Sequence, residues 1–91
     1  MLIRSQDKTI LVNVDNTFNI TIRYTNGAAA IYIGSPSGYC NIAEYSTKAK
    51  AIKVLDMIQE AYETYEYEKA FKTGLTLFEA FQMPEDGSVE V

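Results

Sequence analysis

The sequence predicts an α+β fold: an antiparallel four- to five-stranded sheet in the order β-β-β-β-α-β, with one long amphipathic helix on one face. Three observations predict it. Apolar and polar residues alternate through "TFNITIRYT", residues 17–25. Asn26-Gly27 follows at once. After Ser46 the apolar spacing changes from two to a mixture of three and four, which is the period of a helix with one buried face.

Each element has its own reason. In "KTILVNV", residues 8–14, Ile10, Val12 and Val14 share one side, which reads as a first strand, and Asp15-Asn16 turns the chain. In the second strand Phe18, Ile20, Ile22 and Tyr24 share one face and Asn19, Thr21, Arg23 and Thr25 the other. That is the pattern of a half-buried antiparallel strand. Asn-Gly supplies the positive φ angles of a type I′ hairpin turn, so "AAAIYI", residues 28–33, is the return strand. "GSPSG", residues 34–38, is the next turn, and "YCNIAEY", residues 39–45, the fourth strand.

Ser46 is placed to cap a helix beginning at Thr47. Ala51, Leu55, Ile58, Tyr62 and Tyr65 form its apolar stripe, with Val54 and Ala61 alongside. Gly74 ends it, and "LTLFEAFQM", residues 75–83, is the last strand, closed by Pro84. Residues 1–84 thus make one domain, and 85–91 a flexible tail.

A chain of 91 residues has a thin core, for which oligomerisation is a common remedy. A homo-oligomer is therefore expected. Its interface candidates are Tyr62, Tyr65, Tyr67 and Phe71 on the helix and Phe78 and Phe81 on the last strand, since tyrosine suits a surface apolar at one end and wet at the other. No apolar run is long enough to span a membrane, and no secretory signal is apparent, so a cytoplasmic location is expected.

The net charge of −4 is uneven: residues 1–58 hold six Lys/Arg against four Asp/Glu, and residues 59–91 two against eight. An acidic total argues against generic nucleic-acid binding. Histidine is absent, and Cys40 is the single cysteine. The commonest general base, the commonest metal ligand and the usual partner of a thiolate nucleophile are all missing. The reading is therefore non-enzymatic, with no cofactor and no metal. Glu60, Glu63, Glu66 and Glu68 read as a solvated acidic face.

Two features remain for recognition. "STKAKAIK", residues 46–53, sets lysines at a helix start and so opposes the helix dipole. A helix start with hydroxyls and cations is also a ready anion site. The candidate set is Arg4, Lys8, Arg23, Ser46, Thr47, Lys48 and Lys50, with Tyr24, Tyr32, Tyr39 and Tyr45 available as an aromatic platform. The second feature is "RSQDK", residues 4–8, a charged patch ahead of the first strand. It reads either as an edge guarded against unwanted pairing or as a recognition surface.

"IRSQDK", "EYSTKAKAIKVLDMIQEAY" and "FQMPED" resemble segments of small proteins of phages, prophages and mobile elements in Firmicutes. The likeness covers both ends and the helix and leaves out the strands between. It implies a genomic setting, with the host cytoplasm as location, and carries over no functional residue. The group has no assigned activity; small non-enzymatic phage proteins in general often act as inhibitors of host antiphage defence, by binding a defence protein or by sequestering a nucleotide signal. The expectation is such an inhibitor; the alternative is a self-assembling structural or accessory phage protein with no ligand.

Overall fold

A computed structural model describes residues 1–17, 19–71 and 80–91. Among these residues the fold is α+β, with one α-helix, but the strands divide into two sheets. In chain order the elements are β1 (Leu2–Arg4), β2 (Leu11–Asn13), β3 (Asn19–Thr25), β4 (Ala28–Ser35), β5 (Gly38–Tyr45), α1 (Lys48–Phe71) and β6 (Phe81–Gln82). One sheet has the order β3-β4-β5 and the other β2-β1-β6. The single four- to five-stranded sheet expected from the sequence is thus corrected to two sheets of three.

The larger sheet follows the local signals. Asn26 and Gly27 have φ angles of 53° and 84°, the pair a type I′ turn needs. They join β3 to β4 with Thr25 opposite Ala28 and Asn19 opposite Gly34. A second turn joins Ser35 to Gly38, whose φ is 126°. The β4–β5 register slips once: Ile31 faces Ala43 and Tyr32 faces Asn41, so Ile42 is the extra residue of a bulge.

The inner face of this sheet carries Ala29, Ile31, Ile33, Ala43 and Tyr45, all buried. Helix α1 covers it with Ala51, Val54 and Ile58, while Leu55, Ala61 and Tyr65 pack at the margin. The expected stripe is therefore the buried face, except that Tyr62, 38% exposed, lies at its border. Thr47 rather than Ser46 caps the helix: its Oγ1 accepts the Lys50 N–H at 3.1 Å, which satisfies one of the donors every helix start leaves unpaired.

The smaller sheet corrects the reading of both chain regions that form it. The first strand expected over residues 8–14 is only Leu11–Asn13, and a further strand, β1, precedes it. β1 is the middle strand, antiparallel to β2 and parallel to β6. Arg4 therefore stands on a central strand and not at a guarded edge. Of the strand expected over 75–83, residues 80–83 are described, and Phe81–Gln82 are strand. Gly74 and Phe78 lie outside the described residues, as does the side chain of Phe71.

The residues read as a flexible tail also need correction. Asp86–Ser88 form a 3-10 turn, and Val89 is 6% exposed within the core cluster that includes Ile3 and Met83. The reason is physical: Val89 finds an apolar seat and Asp86 finds donors, so the segment docks.

Candidate binding face

The "SQD" of the opening patch is a structural knot. Ser5, 2% exposed, donates through Oγ to Asp7 Oδ1 at 2.7 Å and accepts the Ile10 N–H at 3.0 Å. The same Asp7 oxygen accepts Thr9 N–H at 3.0 Å and Thr9 Oγ1 at 2.7 Å. These donors, Ser5 first, lower the Asp7 carboxyl to a pKa of about 2, because they bond the charged form. Lys8 takes the left-handed conformation, φ 68°, that lets the chain reverse.

Gln6 joins the sheets. Its N–H donates to Ile42 O, the carbonyl at the bulge, at 2.8 Å. Its side-chain Nε2 donates to Glu44 O at 3.0 Å and to Pro84 O at 3.2 Å, while Oε1 accepts the Glu44 N–H at 3.0 Å. The amide thus pairs with β5 as another strand would. Gln82 completes the joint, donating to Ser5 O at 2.9 Å.

The helix start is filled from within. Asp86 Oδ1 accepts the Ser46 N–H at 2.8 Å and Ser46 Oγ at 3.1 Å. Lys50 Nζ donates to Asp86 O at 3.0 Å and lies 3.5 Å from Asp86 Oδ2. The Ser46 N–H, chiefly, holds the Asp86 carboxyl below its ordinary value. A carboxylate of the chain itself thus sits where the sequence suggested an external anion. Lys48 is exposed beside it. Arg4 and Lys8 stand on β1 and its following turn, and Arg23 on the other sheet. Of the seven candidate residues, the hydrogen bonds gather only Ser46, Thr47 and Lys50 into one place.

The outer face of β3-β4-β5, turned away from α1, gathers a different group. Alternation and register put Asn19, Thr21 and Arg23 of β3 on it, opposite Gly34, Tyr32 and Ala30 of β4. Arg23 has its guanidinium carbon 4.6 Å from the Tyr32 ring centre and 4.7 Å from that of Tyr39. Both distances are within cation–π range. Gly34 permits this: a Cβ there would lie 2.8 Å from the Tyr39 ring and 2.9 Å from Asn19 Oδ1. Without a side chain at that position, Tyr39 lies across β4 towards Arg23. No carboxylate of the described residues forms an ion pair with it. Nearby, Asn41 Nδ2 donates to Glu44 Oε1 at 3.2 Å. Tyr39 remains 53% exposed, so the rings and guanidinium form a flat, amphipathic patch facing solvent.

Two of the four tyrosines named as a platform are therefore here. Tyr45 is core, its OH donating to Pro84 O at 2.7 Å, and burial with the Asp86 charge pushes its pKa up. Tyr24 points to the opposite side of β3. The sequence signal for the missing element, Gly34, is a glycine inside a strand facing an aromatic position.

Of the interface candidates, Tyr62 and Tyr65 stack with ring centres 6.5 Å apart. A hydrogen bond to Glu66 raises the Tyr62 pKa. Tyr67 is 61% exposed. Tyr65 and Phe81 share the wall of a cleft of ≈ 440 Å³ with Met1, Met57 and Ala61.

No helix of the described residues is long and apolar enough to cross a membrane. Among the described residues no three His, Cys, Asp or Glu side chains converge as a metal set would. No family model, curated protein or solved structure matches the chain.

Proposed function

We propose that this chain is a small non-enzymatic binding protein that inhibits an antiphage defence system of its host by docking on a defence protein. The docking patch is Arg23 with Tyr32 and Tyr39, and the partner presents an acidic group to the guanidinium. The observation that carries the reading is the Arg23 cation laid on two tyrosine rings and paired with no carboxylate among the described residues. Arginine and tyrosine dominate the energetics of protein interfaces, and here the arginine side chain is already ordered, which lowers the entropy lost on binding.

A nucleotide sponge is the weaker form of the same idea. Nucleotide-sized ligands occupy concave sites that bury most of their surface, whereas Arg23 and Tyr39 lie on an open sheet face. The helix start, the other anion candidate, already holds Asp86. The opening resemblance to phage and mobile-element proteins supplies the defence context.

The test is phage plating on cells carrying defined defence systems, with and without the chain, together with binding of the purified defence protein. Plating recovers with the native chain and fails to recover with Arg23→Ala or Tyr39→Ala, each of which keeps its melting temperature. Full rescue by both variants removes this face from the proposal. No rescue in any system removes the proposed activity and leaves self-assembly as the function.

A further inference from the structure

We infer that β3 pairs with β3 of a second copy of this chain, antiparallel about a two-fold axis through Ile22, so that two three-stranded sheets become one of six strands. β3 is an edge strand, hydrogen-bonded on one side to β4. Among the described residues, no backbone group pairs with its other side. The two-residue turn makes Thr25 and Ala28 a hydrogen-bonded pair, and antiparallel alternation then directs the N–H and C=O of Ile20, Ile22 and Tyr24 outwards.

The edge is complementary to itself. Centred on Ile22, the pairing sets Ile22 against its own copy, Ile20 against Tyr24, Thr21 against Arg23 and Asn19 against Thr25. The outward groups of Ile20, Ile22 and Tyr24 then meet their counterparts. Tyr24, 58% exposed in the single chain, lies over Ile20 of the other copy, an aromatic–β-branched pair of the kind that stabilises sheets. No like charges stand directly opposite.

Edge strands are normally defended by charge, proline or a bulge. β3 has no proline and no register slip, and its one charged residue is Arg23. That cation is drawn back over Tyr32 and Tyr39, on the strands behind the edge. The cluster that orders Arg23 therefore also leaves the edge undefended. In the paired form the two Arg23 patches lie on one continuous face.

The experiment is light scattering from micromolar to several hundred micromolar protein, with amide hydrogen exchange at both ends of that range. The native chain shows a mass near twice 10.2 kDa at high concentration, with slowed exchange at Ile20, Ile22 and Tyr24. Tyr24→Pro removes an outward N–H that the fold itself does not use and yields a monomer of native circular dichroism. Thr21→Lys sets a cation opposite Arg23 and shifts the mass towards monomer, and Thr21→Glu shifts it towards dimer. A native chain that is monomeric throughout overturns the inference. So does a dimer in which those three amides exchange freely, or one that neither Thr21 substitution moves. The two Thr21 variants and the exchange data keep the test decisive even where the proline variant does not fold. Because Arg23→Ala tests the proposed docking patch by plating, the failure of one idea is distinguishable from the failure of the other.

Discussion

The two sheets have the same number of strands and are held by different means. In β3-β4-β5 the strands run seven, eight and eight residues and meet through two tight turns. A continuous backbone ladder and one apolar face suffice. In β2-β1-β6 the strands run three, three and two residues, too few for a ladder to stand alone in water. Side-chain amides and hydroxyls supply the rest: Gln6, Gln82, Ser5 and Tyr45 each bond a backbone carbonyl, a backbone N–H or a neighbouring carboxylate. The difference teaches that a short strand is stable where its neighbours' side chains finish its hydrogen bonds.

The largest effect comes from breaking what both sheets share. Ile31 is fully buried at the centre of β4 in the common core. Ile31→Ala costs about 2–5 kcal/mol in denaturant unfolding, through lost burial and the cavity left behind. Both sheets then melt in one transition. A change below ~1 kcal/mol would mean that the core does not centre there.

Gln6→Ala comes next and separates the sheets. It removes the bonds to Glu44 and Pro84 and leaves the Glu44 N–H without its partner. The cost is about 1–3 kcal/mol, and hydrogen exchange quickens in β1, β2 and β6 more than at β3 and β4. Uniform acceleration would show that Gln6 does not discriminate between the two.

Tyr45→Phe is smaller, about 1 kcal/mol, since Pro84 O keeps the Gln6 bond. It carries a pH signature. The folded Tyr45 pKa is raised above the ordinary value of 10.0, so the unfolded chain ionises first. The native stability is then complete below that pH and declines above it. The Phe variant loses that part of the alkaline decline; an unchanged alkaline profile would exclude Tyr45 as its source.

The smallest effect is at Asp7, which is exposed. Its folded pKa, about 2, lies below the ordinary 3.8, so the unfolded chain takes up its proton first as the pH falls. The stabilisation is present above pH 3.8 and is lost as the pH falls towards about 2. Asp7→Asn is accordingly less stable than the native chain at neutral pH, and the gap closes in acid. A gap that persists at pH 2 would refute the carboxylate's role in the knot.

How far the sequence could be read follows from the same contrast. Residues 17–45 announce their strands because period-two alternation and Asn-Gly are local signals, and Ala51, Val54 and Ile58 announce the helix face by their spacing. Arg23, Tyr32 and Tyr39 were each visible as candidates. Their meeting depends on Gly34, which only a register places under the Tyr39 ring. By itself the sequence determined the hairpins, the helix and the residue types available for recognition, because those depend on neighbours a few positions away. The tertiary structure alone decided that β1 pairs in parallel with β6, that Gln6 stands in for a strand and that Asp86 occupies the helix start. Two- and three-residue strands have no period to detect, and hydrogen bonds between distant side chains and backbone depend on where the core brings the chain, not on the order of its residues.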